Sequence, residues 1–235
     1  MREVSVQVCF FLIGESTTQA RSVLDRSEIS RLQSVAHDAA GLRRFVLHLP
    51  AGHDERVASA PFCVTQWYFD DLERLEAALQ PGGAIQAAAD SIAATVDECT
   101  LLQQAMAVRK FPTPHASDTH DERCTYLVSY EGEAHDFNAW LTHYLTHHPP
   151  LMTQLPGIRE LEIYTRIDYR SALKHMRATA MQRNKVVFDD VASLDAALAS
   201  PVRARMKADF DSFPPYSGAT PHYPMHSIYG NLTRE

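Results

Sequence analysis

"FDDLERLEAAL" at residues 69–79 and "FDDVASLDAAL" at residues 188–198 are one segment written twice. Each passes from an aromatic residue through paired aspartates, which are good helix N-caps, into leucines spaced for one helix face. A second pair keeps the same order: "GLRRFVLHL" at 41–49 precedes the first copy, and "GIRELEIYT" at 157–165 precedes the second. The two pairs are separated by 119 and 116 residues, so they stand nearly in register. Two matches in register point to a duplicated structural unit.

The segments around these copies predict the same element order in each half. In the first half, strands are expected at 4–13, 42–49, 62–69 and about 99–108. Helices are expected at 27–40, with Ser27 as cap, and after Asp70 or Asp71, with Leu72, Leu75 and Leu79 on one face. In the second half, strands are expected at 124–130, 158–167, 181–188 and about 225–231, and helices at 134–155 and 191–199, the latter restarting after Pro201. Each half is therefore β-α-β-β-α-β, the ferredoxin-like unit, and the fold class is α+β. A four-stranded sheet with helices on one face leaves its other face to be covered, and tandem halves can cover each other sheet to sheet. The expected organisation is a first domain at 1–110, a linker at 111–122 and a second domain at 123–235. The insert "DYRSALKHMRATA" at 168–180 has no counterpart in the first half and is expected to be a lid or a short surface helix.

Charge and composition narrow the partners. The net charge is −7 and no basic run is present, which argues against a nucleic-acid surface. No segment approaches the ~18 consecutive apolar residues of a membrane helix, and the N-terminus alternates like a strand rather than reading as a signal peptide. Cys9, Cys63, Cys99 and Cys124 are too scattered for a metal or redox motif and are expected as thiols of a cytoplasmic protein. The expected partner is a small molecule, and a homodimer of the fused pair is compatible with the sequence.

The stretch "FNAWLTHYLTHHPPLMTQLPGIRELEIY", residues 137–164, carries a more specific pattern. Phe137 and Trp140 lie on a predicted helix, followed by His148-Pro149-Pro150-Leu151 and then Pro156-Gly157-Ile158-Arg159. This resembles the EthD family of the dimeric α+β barrel superfamily. The resemblance implies a pseudo-dimeric α+β barrel in which two ferredoxin-like domains form one chain. The first half, "SRLQSVAHDAAGLRRF" at 30–45, has no His-x-Pro-Leu, so one active half and one structural half are expected. Relatives of this superfamily include cofactor-free isomerases, cyclases, small monooxygenases, decarboxylases and dehydratases, and some branches bind haem.

Helix geometry places Phe137, Leu141, Tyr144 and His148 on one apolar stripe, flanked by Trp140 and His147. Residues before proline are pushed from the helical region, so the helix is expected to break near His148 and aim it into a cavity. An imidazole there suits general acid–base chemistry. His148 is the expected catalytic group, with Tyr144 binding a substrate oxygen, His147 assisting, and Trp140 and Phe137 as an aromatic wall. The competing reading makes His143 and His147 ordinary solvated residues near a helix C-terminus. His143 and His147, four apart, have the spacing to share a metal, but no third ligand follows from spacing; neither metal nor cofactor is expected. The segment "FPPYSGATPHYPMHSIYG" at 213–230 offers His222 and His226 as pocket groups or as part of a packed tail. Tyr164 with Glu160 and Glu162, and Arg183 with Lys185, form either an ion-paired interior or a substrate-carboxylate site. With the EthD resemblance, which implies a place in aromatic or ether degradation, the expectation is a cofactor-independent isomerase or lyase acting on a small, anionic, ring-derived catabolite. The alternatives are a cofactor-free monooxygenase on a phenol and a non-catalytic small-molecule-binding accessory protein.

Overall fold

The computed structural model describes residues 6–16, 24–51, 60–96, 99–114, 116 and 122–230. The first half contains β1 (Val8–Ser16), α1 (Arg26–Asp38), β2 (Leu42–Pro50), β3 (Cys63–Phe69), α2 (Leu72–Ala78), α3 (Ala84–Thr95) and β4 (Cys99–Phe111). The second contains β5 (Glu122–Tyr130), α4 (Phe137–Met152), β6 (Glu160–Arg166), β7 (Met176–Arg177), β8 (Gln182–Phe188), α5 (Val191–Leu198), α6 (Pro201–Phe210) and β9 (His222–Gly230).

The repeated segments occupy equivalent places. Asp71 caps α2 by accepting from Arg74 N at 2.8 Å, and Asp190 caps α5 by accepting from Ser193 N at 2.7 Å. Gly41 and Gly157, each just before the second strand of its half, have φ of 75° and 74°. That left-handed conformation favours glycine, which explains why both copies begin with it.

Within each half the hydrogen-bonded strand order is the same: β4-β1-β3-β2 and β9-β5-β8-β6. The two sheets then join, because β2 pairs with β9 and β4 pairs with β6, both antiparallel. The last strand of each half thus binds the second strand of the other, and eight strands close into a barrel without a free edge. Alternation along the strands divides the core into three parts. Outward residues of the first sheet pack under α1, α2 and α3, those of the second under α4, α5 and α6, and inward residues such as Phe11, Val46, Tyr68, Met106 and Met225 fill the barrel.

The barrel interior is polar at its centre. Lys185 Nζ lies 2.8 Å from Glu160 and 3.6 Å from Glu162, and Arg44 bridges the same two carboxylates. Tyr68 and Tyr164 donate their hydroxyls to Glu162 at 2.7 and 2.5 Å. His48 sits between Ser227 Oγ and Gln66 Oε1, both at 2.7 Å.

Local expectations fail at several places, each for a physical reason. The first helix is capped by Asp25, not Ser27, through a reciprocal capping box with Glu28. Helix α3 is absent from the expected order: its buried face, Ile85, Ala88, Ala89 and Ile92, is half alanine, and it starts at Gly83 without a side-chain cap. Helix α4 does not break at the double proline. It runs to Met152 with Pro149 and Pro150 inside it, although the carbonyls of Leu145 and Thr146 lose their usual donors. Burial of Pro149 and Met152 against the sheet outweighs the local preference.

The insert at 168–180 is neither helix nor cover for the second half. It crosses to the first half, where Tyr169 and Leu173 are buried in the outer core and Tyr169 meets Phe10 edge-on at 6.0 Å. Arg170 pairs with Glu76, Ala172 N donates to Leu79 O at 3.1 Å, and Gln103 Nε2 donates to the carbonyls of Leu173 and His175. The strap fills space under the helices of the first half. Leu173→Ala is expected to cost ~2–5 kcal/mol in equilibrium urea unfolding. Ligand binding in the second half should be unchanged, and a destabilisation under ~1 kcal/mol would contradict the plug.

Candidate functional site

In the second half the corresponding space is open. A cavity of about 230 Å³ lies between the outer sheet face and α4, α5 and α6. A cavity of ~150 Å³ is known to hold a benzene ring, so this one has room for a single substituted ring. Its walls are mostly apolar, with Met152, Leu155, Val186, Phe188, Leu194 and Met206 prominent. The polar exceptions include His148, His222, Asn184, Arg203 and Lys207, with Tyr126 and Tyr130 adding hydroxyl-bearing rings.

The spacing on α4 explains how His148 arrives there. Trp140, Tyr144, His148 and Met152 recur every four residues and are buried against the sheet. From α6, Asp209 meets His148, whose Nδ1 lies 2.7 Å from Asp209 Oδ2. With Asp209 as the carboxylate, Nδ1 carries the proton, and Nε2 is left with its lone pair. No hydrogen-bond partner of Nε2 occurs among the described residues. Burial lowers the His148 pKa, Asp209 opposes that shift, and the nearby charge of Arg203 adds to it, with a net lowering. The ring is therefore neutral at neutral pH.

His222, at the start of β9, is arranged in the same way. Its Nδ1 lies 2.7 Å from the carbonyl of Thr220, and its ring packs on Tyr126 at 5.4 Å. Burial lowers its pKa, against the Thr220 hydrogen bond, and Arg203 and His148 lower it further. Two neutral imidazoles, each held through Nδ1, thus line one cavity beside one guanidinium. The side chain of Arg203 has no ion-pair or hydrogen-bond partner among the described residues, whereas Lys207 is paired with Asp211 at 2.5 Å.

The other expected site residues lie elsewhere. Tyr144 backs His148 at 5.1 Å between ring centroids, but its hydroxyl is already taken by Asn184 at 2.8 Å and Met152 Sδ at 3.7 Å, and it does not line the cavity. Trp140 and Phe137 stack in an aromatic cluster behind it. His147 is exposed on the outer side of α4, with Nδ1 2.8 Å from its own helix at His143 O. Tyr164 and Arg183 point into the barrel, where Tyr164 joins Glu162 and Gln66, and Arg183 Nε donates to Gln104 at 3.0 Å. His226 is half-exposed, 3.5 Å from Glu122. Asp209 and Arg203 were not singled out in the sequence. The available signal was the spacing of Arg203, Met206 and Phe210 on one face of α6.

No protein-family model matches the sequence, and no curated protein matches it. Solved structures do. An anthrone oxidase-like protein superposes with a TM-score of 0.62 at 10% identity, over 97% of this chain and 95% of that one. A candidate monooxygenase from Lactobacillus acidophilus superposes with a TM-score of 0.57 at 12% identity, over 96% of this chain and 95% of that one. At such identities the likeness shows the fold alone, an α+β barrel of eight antiparallel strands closed within one polypeptide. An EthD family protein from Bacillus halodurans is 20% identical, covers 39% of this chain and 87% of its own, and superposes with a TM-score of 0.34, too low to carry the family assignment.

Proposed function

We propose that this protein is a cofactor-independent, EthD-like isomerase or lyase that moves a proton on a small anionic ring compound bound in the cavity of its second half. The observation carrying the proposal is the His148–Asp209 pair at 2.7 Å with the free edge of the imidazole at an apolar cavity. Nε2 takes a proton from a carbon activated by a neighbouring carbonyl or carboxylate. The electron pair of the broken C–H bond moves into an enolate. The imidazolium, stabilised by Asp209, returns the proton to another carbon or gives it to a leaving group. His222 is placed to hold the oxygen that gains charge, and Arg203 to hold a carboxylate of the substrate.

The test is a thermal-shift and turnover screen of ring carboxylates and unsaturated ring lactones, with the neutral amides as controls. Acids should stabilise the wild type, since ligands of the folded state raise its stability. Arg203→Gln should weaken their binding by about tenfold, roughly 1.4 kcal/mol. Amides that bind as tightly as acids would remove the substrate class. Binding without product would favour a non-catalytic accessory protein.

A second reading is supported by the names of the structural relatives, which include monooxygenases and an anthrone oxidase-like protein. There His148 would deprotonate a phenol whose keto form carries a ring CH2, the anion would give up an electron to molecular oxygen and combine with it as a hydroperoxide at that carbon, and loss of water would leave a new carbonyl. Oxygen consumption during turnover separates this reading from the first.

A further inference from the structure

We infer that His143, His147 and Asp209 form a binding site for one divalent transition-metal ion of the zinc class, on the outer side of α4 and separate from the ring cavity. The two histidines are one helical turn apart, with ring centroids at 4.4 Å. Nδ1 of His147 is tied to the carbonyl of His143, which leaves its Nε2 as the ligand atom. The third ligand comes from α6, which sequence spacing had no means of indicating. One donor atom from each residue lies within 4.8 Å of the other two.

The carboxylate of Asp209 is divided between two tasks. Oδ2 accepts from His148 at 2.7 Å, which fixes the orientation of the group. Oδ1 then faces His143 Nε2 at 3.7 Å. That gap is too long for a hydrogen bond. It is a few tenths of an ångström wider than the ~3.4 Å between two tetrahedral zinc ligands at ~2.0–2.1 Å, so a small closure of the pair brings both onto one ion. Ser212 Oγ, 3.3 Å from His143 Nε2, is the other polar contact of that ring. With His147 Nε2 as the third protein ligand, water completes four-coordination. Two imidazoles and one carboxylate suit zinc, nickel or copper, whereas magnesium and calcium prefer all-oxygen shells. The bond from His148 to the ligating carboxylate is the kind of outer contact that orients a metal ligand.

The experiment is isothermal titration of the full chain with zinc chloride and, separately, with magnesium chloride, without any ring ligand. One equivalent of zinc should bind and magnesium should not. His147→Ala should weaken zinc binding at least ~10-fold while leaving the unfolding midpoint of the metal-free protein unchanged, because this side chain is exposed. His226→Ala, which removes a histidine outside the cluster, should bind zinc like the wild type. Absence of a stoichiometric zinc site, or equal zinc affinity in His147→Ala and the wild type, would overturn the inference. Neither result would bear on the ring cavity, whose ligands are tested without metal.

Discussion

Turnover of a ring substrate is expected to fall by ~10²–10⁴-fold in His148→Ala, the contribution of one positioned acid–base group. The unfolding midpoint should change little. The imidazole lines a cavity rather than filling the core. Asp209→Asn provides the sharper comparison. Its amide can donate to Nδ1, which would move the imidazole proton to Nε2 and remove the base while the geometry survives. A comparable loss in kcat with a smaller change in KM is the expected pattern, because the interaction matters most when the imidazolium forms. His148→Ala with full activity on an identified substrate would end the acid–base reading. His148→Ala inactive beside a fully active Asp209→Asn would leave His148 in place and remove Asp209 from its support.

The halves of the barrel were legible because duplication writes the same local requirements twice. Asp71 and Asp190 are both caps, and Gly41 and Gly157 both need positive φ. These are short-range constraints, and they leave a short-range signature. The position of His148 was legible for a related reason, since four-residue spacing from Trp140 and Tyr144 sets its helix face. Its partner was not, because Asp209 stands 61 residues away on another helix, and no local pattern encodes the crossing of α4 and α6. Strand alternation correctly grouped Tyr164 with Glu160 and Glu162 and set Leu161 and Ile163 opposite. Alternation alone does not say whether a face looks into the barrel or toward the helices, and both faces of β6 are largely buried. That ambiguity placed Tyr164 and Arg183 among the candidate ligand groups, whereas the sheet separates them from the cavity. The strap at 168–180 was misread for a similar reason: its apolar residues, Tyr169 and Leu173, fit a groove of the other half.

Loss of the central carboxylate of the barrel should be the most damaging single change to stability. Glu162 is buried and receives Lys185, Arg44, Tyr68 and Tyr164. Glu162→Ala strands two cations with Glu160 alone, and removing one partner of a buried ion pair costs ~3–5 kcal/mol. The pH dependence gives an independent check. Burial raises the Glu162 pKa, but Lys185, Arg44 and the two tyrosine hydroxyls outweigh it and hold the carboxyl far below its usual range. A depressed carboxylate stabilises the fold above its unfolded pKa of about 4.3, and that contribution is lost as pH falls toward the folded value. His48 acts earlier in the same direction. Burial, against the Gln66 hydrogen bond, pushes its pKa down to about 3, so the unfolded chain takes up its proton first. The stability tied to a neutral His48 is complete above about 6.5 and drains away as pH drops toward 3. Urea unfolding of the wild type should therefore show stability falling from about pH 6.5 downward and more steeply below about 4.3. The gap between wild type and Glu162→Ala should be widest at neutral pH and narrow in acid. A gap that stays constant from pH 7 to pH 3 would mean that the charge of Glu162 does not hold the barrel centre together.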